Sequence, residues 1–493
     1  MREGVSVFYD ATTALTDLVA QLQSAADTED PNERIDATCK IQEAGAPHFG
    51  ALLSQYLDNT AGSYATHEAV WKSLANYQTR LTQVLCTVAT GALTARSATN
   101  ALRAIRSLAK LHLIHYASIP EQLWHLTYTL HASAEQNGFA ITPVPAHSSD
   151  RTMTTVEQEL LRVLMLCVSA PDMLDPEQIE VVDRALERLG AEFTLRQPGI
   201  ADNSFYFNPT SGNAPRCAIR DEVPTNARYF GPGVAYHSLE RISKQLEAET
   251  PDKFKPFGKD LSPLGQYNTV NHLLIVWRAN GPQPAPVHSP ASGTILVVHD
   301  YPHVWQHISE VSYDGELSLL ADSALMPQTP EVWELRGESD DELVAEVPRA
   351  SRAWARCGAI IGMTVDESER WIGLIRRMHL EANDSLQADI AVLSGDATAH
   401  TLREVLEKDE DSAFTEAASR EFGLSEVNAV ILVDGPDGGK PSSLIVKPEH
   451  WKVGRIYELR EGNNSLYLRG LKAIRRSDDF VHATFKWLSK PDS

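Results

Sequence analysis

Cysteine is scarce in this chain: five among 493 residues, at Cys39, Cys86, Cys167, Cys217 and Cys357. None forms a Cys-x-x-Cys pair. The odd count and wide spacing exclude a disulfide framework and a zinc ribbon, and fit reduced thiols in a reducing compartment. Positive charge is also short, with 44 Lys+Arg against 66 Asp+Glu and a net charge of −22. Such a field repels duplex nucleic acid and anionic membranes, which bind basic surfaces by releasing counterions. Two local basic stretches, Arg103 with Arg106 and Arg469, Lys472, Arg475 and Arg476, read as solvated faces. No apolar run approaches 18 residues, so no membrane span is expected. The opening MREGVSVFYDATTALTD carries early acids and lacks an apolar segment with a small-residue cleavage site, which argues against a secretory signal. The expected compartment is the cytoplasm.

The hydrophobic fraction of 43% leaves material for several cores. At roughly 150 residues per domain the length predicts about three domains. Residues 1–195 read as an α-helical bundle. Ala101, Leu102, Ile105, Leu108, Ala109, His112 and Tyr116 recur at helical spacing on one face, with Arg103, Arg106 and Lys110 largely off it. Asp175-Pro176-Glu177-Gln178 is a helix start: Asp caps, Pro sits where an N–H has no partner, and Gln reaches back. Ile179, Val182, Leu186 and Leu189 then form a buried stripe that ends at Gly190. Residues 196–290 read as a mixed, mainly helical middle segment, with helices near 236–248 and 267–278. It ends in the linker NGPQPAPVHSPASG (280–293), whose prolines disfavour helix and remove ladder donors.

Beyond it the period changes. TILVVH, EVWELRG, DELVAEV, GAIIGMTV, RWIGLIRRM and ADIAVLSG predict an antiparallel β-barrel over 291–398. Residues 399–493 predict a second β-rich domain, opening with a short helical insert over about 399–421. The fold class is therefore multi-domain α+β, with an all-α front half and an antiparallel β-barrel back half.

Chemical motifs are few. His299, His303 and His307 have metal-compatible spacing only on a helix. ILVVH reads as a strand and Pro302 intervenes, so a strand end followed by a loop is expected and no metal site. His112 and His115 read as core or edge residues. GPDGGK (435–440) lacks the four-residue gap and the following Ser/Thr and helix of a phosphate loop, and reads as a hairpin turn. There is no Gly-x-Ser-x-Gly, no His-Glu-x-x-His, and no Gly-x-Gly-x-x-Gly after a strand. No catalytic residue, metal ligand or resident cofactor is assigned, and the chain is expected not to be an enzyme. An unrecognised hydrolase is the alternative, for which His299, Asp300 and His303 would have to converge in a pocket.

The segments ALRAIRSLAKLHLIHYASIPEQLWHLTYTLHASAEQNGF (101–139), SAPDMLDPEQIEVVDRALERL (169–189), EVWELRGESDDEL, RWIGLIRRM and ADIAVLSG resemble proteobacterial proteins that join a helical N-terminal region to a C-terminal PilZ-type barrel. The resemblance implies a PilZ-like, cyclic di-GMP receptor-like barrel. In that family an Arg-x-x-x-Arg motif ahead of the barrel and an Asp/Asn-x-Ser-x-x-Gly motif on it hold the ligand, since guanidinium groups stack on purines and pair bidentately with phosphate. Here Gly337-Glu338-Ser339-Asp340-Asp341-Glu342 keeps only Ser339 of the second motif and adds acids, and no arginine lies between Arg278 and Arg336. Arg352-Ala-Trp-Ala-Arg356 fits the first motif, with Asp366-Glu-Ser368 following. Trp371, however, stands where Gly belongs, and the spacing is too short. The resemblance therefore implies a degenerate barrel and an adaptor that acts through protein–protein contacts, in motility, pilus or surface-growth regulation. Self-association is a separate expectation, drawn from a large, acidic, helical chain. The alternative is a true cyclic di-GMP receptor, with Arg352, Arg356 and Ser339 as ligand residues.

Overall fold

A computed structural model describes residues 2–488 apart from 59–63, 146–151, 197–204, 220–221, 249–253, 279–285, 313–327, 366–368, 406–425, 433–442 and 462–463. It divides the chain into two compact units. The first is residues 1–285 together with 349–354 and 379–384; the second is 286–348, 355–378 and 385–493. The break at 285/286 falls inside the proline-rich stretch expected to be a linker.

Among the described residues of the first unit nine α-helices follow in order: α1 (Arg2–Ala26), α2 (Pro31–Leu57), α3 (Tyr64–Gly91), α4 (Ala95–Ile114), α5 (Glu121–Gln136), α6 (Val156–Cys167), α7 (Pro176–Leu189), α8 (Ala235–Ala248) and α9 (Pro263–Val276). A short strand pair, β1 (Val144–Pro145) and β2 (Met153–Thr154), precedes α6. Between α7 and α8 lies a small sheet of β3 (Thr194–Arg196), β4 (Phe205–Phe207), β5 (Arg216–Cys217) and β6 (Arg228–Gly231), in the order β3-β6-β4-β5. The middle segment is thus mixed, with helices at the two places the periodicity indicates. The α7 cap forms as expected: the Asp175 carboxylate accepts from the Gln178 N–H at 2.8 Å, and the Asp175 N–H donates to the Gln178 side chain at 3.1 Å.

The solvated-face reading of Arg103 and Arg106 is overturned. Helix α4 packs against α3, α5, α6 and α7 and is buried nearly all round. Its cations meet carboxylates of the facing helices: Lys110 Nζ lies 2.7 Å from Glu180 and 2.8 Å from Asp183, and Arg106 lies 3.2 Å from Asp183. Glu159 of α6, fully buried, accepts from Arg162 at 2.6 Å. Buried charges persist only when paired in this way. The partners of the α4 cations lie 50 to 80 residues away in sequence, beyond the reach of a one-helix pattern.

The second unit holds two closed antiparallel barrels. The first comprises β8 (Thr294–His299), β9 (Glu331–Glu338), β10 (Glu342–Val347), β11 (Ile360–Val365), β12 (Glu369–Leu380) and β13 (Leu386–Ser394), in the order β10-β13-β12-β11-β8-β9, closed by β9 pairing β10. A two-residue strand, β7 (Ser289–Pro290), extends the β9 edge of this sheet. The second barrel comprises β14 (Thr398–Val405), β15 (Glu426–Leu432), β16 (Ser443–Val446), β17 (Ile456–Glu461), β18 (Asn464–Arg476) and β19 (Val481–Leu488), in the order β14-β15-β16-β19-β18-β17. The helical insert expected from 399 is corrected: 398–405 is strand, and it closes the second barrel between β15 and β17. Helix-forming Leu, Arg and Glu dominate the run from 402, yet the unmet ladder edges of β15 and β17 outweigh that local preference. The rest of that expected insert and the GPDGGK turn lie outside the described residues, although the flanking strands β15 and β16 do pair antiparallel.

A tenth helix, α10 (Tyr301–Ser312), corrects the loop expected after His299. Pro302 occupies its first turn, where a missing N–H costs nothing. Tyr301, Val304 and Ile308 share a core with Val298 and Ile360 of the first barrel and Val430 and Ile445 of the second, and the Tyr301 hydroxyl lies 2.7 Å from the Ile445 carbonyl and 2.8 Å from that of Asn428. The barrels are therefore welded through α10. Among the described residues no helix is long and apolar enough to cross a membrane, and all five cysteines are free.

Candidate functional site

The register around the first barrel fixes which residues share an end. Strands β8, β10 and β12 run one way and β9, β11 and β13 the other. The close of β8 at His299 and the entry to β11 at Ile360 therefore lie at one end. The β9–β10 turn lies at the other, a six-residue strand away, roughly 20 Å.

Ser339 is in that far turn, where its backbone N–H donates to the Glu342 carbonyl at 2.8 Å. Its acidic neighbours Glu338, Asp340 and Asp341 stand at the same end. Arg356, exposed, is at the near end in the turn that leads into β11. The structure does not bring Ser339 and Arg356 together. Arg352 belongs to the first unit and Arg356 to the second. The Arg352 side chain is only 8% exposed, pairs with Asp384 at 3.3 Å and lies over the Tyr64 ring at 6.0 Å. Asp384, which also takes Arg349 at 2.7 Å, adopts a left-handed backbone with φ 64°. Residues 366–368, with the expected Asp366 and Ser368, lie outside the described residues.

Arg356 has neighbours that the sequence pattern did not reveal. The turn 356–359 is held by the Ala359 N–H on the Arg356 carbonyl and the Gly358 N–H on the Ile375 carbonyl, at 3.1 and 2.7 Å. Gly358 has φ 89°, and a Cβ there would stand 2.9 Å from the Arg475 guanidinium. Only glycine suits both the conformation and the approach. Arg475 reaches this turn from β18 of the second barrel, next to a register slip between Ala473 and Arg475. Such bulges re-aim side chains beside sites.

Two carboxylates complete the group. Asp300, 58% exposed and with φ 65°, links β8 to α10. The His299 imidazole at 3.2 Å holds its carboxyl below the usual range, and Arg356 adds to this. Burial pushes the Asp479 carboxyl above its usual range and Asp300 adds to this, against the pull of Arg356. His299, Asp300 and His303 thus gather at the start of α10. Among the described residues no three or more His, Cys, Asp or Glu are arranged to hold a metal ion. His307, one turn on, faces the barrel instead, with Nε2 3.3 Å from the Thr364 hydroxyl.

The helical unit gives the clearest link to a known protein. Residues 7–199 match the family model of the N-terminal domain of the cyclic-di-GMP receptor FimW. The FimW match takes in α1 to α7 with their buried ion network, and both helical segments that resemble the PilZ-linked proteins, 101–139 and 169–189, fall inside it. The barrels lie beyond the FimW stretch. No curated protein and no solved structure matches the chain.

Proposed function

We propose that this protein is a cyclic di-GMP receptor that acts by binding, with the dinucleotide held at the end of the double-barrel unit that carries Arg356. The observation that carries this reading is the approach of Arg475 to the Gly358 turn beside Arg356, supported by the FimW match of the helical unit. The acids around Ser339, which argue against an anionic ligand, stand at the opposite end of the barrel and do not bear on this end. Two guanidinium groups supply what a cyclic dinucleotide needs, stacking on a purine and charge-assisted bonds to phosphate. Asp300 and Asp479 offer acceptors for the guanine amino group. Arg352 is spent on Asp384 and Tyr64, and Ser339 on its own hairpin, so neither is assigned to the ligand.

A second reading keeps the chain as a non-catalytic adaptor whose barrels have lost the dinucleotide. The commitment of Arg352 to an internal carboxylate favours it. Isothermal titration with cyclic di-GMP separates the two. The receptor reading expects saturable binding that weakens at least tenfold in Arg356→Ala and in Arg475→Ala, and stays within twofold in Ser339→Ala. No heat from the wild-type chain sinks the receptor and leaves the adaptor.

A further inference from the structure

Strand β18 slips register twice, between Gly470 and Lys472 and between Ala473 and Arg475. Each slip inserts one residue, Leu471 and Ile474, and these are 45% and 57% exposed. In an unbroken strand, side chains three apart point to opposite faces; a bulge between them returns them to the same face. The two bulges therefore set Arg469, Lys472 and Arg475 opposite Lys486, Thr484 and His482, alternate residues of β19. The cations recur about every 7 Å along the outer face.

Among the described residues the charges of Arg469, Lys472 and Lys486 are not neutralised from within. Arg469 and Lys486 are direct cross-strand partners, and like charges so placed are unfavourable. On the β17 side, Glu458 is already engaged by Ser465 at 2.6 Å and Arg460 at 3.3 Å. Among the described residues Arg469, Lys472 and Lys486 form no ion pair. Apolar ground accompanies the charge: Val453, 58% exposed, precedes Gly454, whose N–H donates to the Gly470 carbonyl beside the first bulge.

We propose that the outer face of β18 is a docking surface for an extended acidic segment of a partner protein, with carboxylates on alternate residues. The side-chain repeat of an extended chain, about 7 Å, is the repeat of the cations. A polypeptide segment is favoured over a membrane or a nucleic acid because the chain's net charge of −22 opposes the approach of an extended anionic surface. A short segment touches only the local basic strip. The strip meets the proposed dinucleotide site at Arg475, so the variants that test it are confined to Arg469, Lys472 and Lys486 and spare Arg356 and Arg475.

The test is fluorescence anisotropy on the full chain with a labelled Glu-Val-Glu-Val-Glu-Val-Glu peptide and its block isomer Glu-Glu-Glu-Glu-Val-Val-Val. The alternating peptide is expected to bind at least tenfold more tightly than the isomer. It should lose at least tenfold in affinity with Arg469→Glu plus Lys472→Glu, while cyclic di-GMP binding moves less than twofold. Lys486→Glu places a carboxylate opposite Arg469, so it should raise the melting temperature and still weaken the peptide. Equal binding of the two peptides, or affinity unchanged in these variants, overturns the proposal. So does binding of oligothymidylate or phosphatidylglycerol vesicles, rather than the peptide, that the variants abolish.

Discussion

At the residue scale, the candidate arginines differ in what surrounds them, and that decides their roles. Arg356 is exposed, while Arg352 is nearly covered and paired. Asp384→Ala leaves the Arg352 guanidinium without its carboxylate, a loss of about 1–3 kcal/mol for a charged hydrogen-bonding group. The expected outcome in urea unfolding is lower stability of the helical signal with cyclic di-GMP affinity unchanged. Gly358→Ala should behave in the opposite way. Its φ of 89° and the 2.9 Å approach of Arg475 mean that an added methyl group moves the guanidinium, so ligand affinity drops more than stability. Arg-x-x-x-Arg was legible in the sequence at 352–356, but the pattern cannot say that its two members belong to different units. Arg475, more than a hundred residues on and delivered by a bulge, stands out in the sequence only as part of a basic stretch read as a solvated face, with nothing to tie it to Arg356.

At the scale of elements, α4 carries both the clearest amphipathic stripe and the strongest departure from it. Its apolar face is the one the periodicity marks. Its cationic face is buried too, because α6 and α7 bring Glu159, Glu180 and Asp183 against it. Lys110→Met removes the cation shared by Glu180 and Asp183, and breaking a buried pair costs about 3–5 kcal/mol; chemical denaturation followed by circular dichroism measures it. At the end of α4, His115 stacks on Trp71 at 4.0 Å and takes the Tyr56 hydroxyl at 3.2 Å. Burial, offset in part by Glu68, lowers its pKa to about 4. Its folded value lies below the unfolded value of about 6.5, so the unfolded chain binds the proton first. Stability is then present above about pH 6.5 and is lost as pH falls toward 4, by on the order of 3 kcal/mol. His115→Gln should flatten this slope in melts at pH 7 and pH 4.5, and an unchanged slope refutes the assignment. Strand existence in the back half was readable from alternation, except at β14, where closure of the barrel overrode helix-forming composition.

At the scale of the whole molecule, the linear order of segments is not the order of units. Residues 349–354, between β10 and β11, and 379–384, the last two residues of β12 and the turn after it, group with the helical unit. There Arg352 meets Tyr64 and Asp384, and the Leu380 N–H donates to the Tyr116 carbonyl at 2.8 Å. A fragment ending at Ala285 lacks these groups, and its helical signal at 222 nm is expected to melt at a lower temperature than in the full chain. Equal melting temperatures refute this. By itself the sequence determined the succession of helices and the run of short strands, because periodicity and caps act over a few residues. Only the tertiary structure decided that the basic face of α4 is internal, that β14 closes a barrel, and that Arg475 reaches the Gly358 turn that follows Arg356 while Ser339 stands at the far end. Those outcomes depend on which distant segments come to face each other, and burial and charge pairing are settled only at that contact.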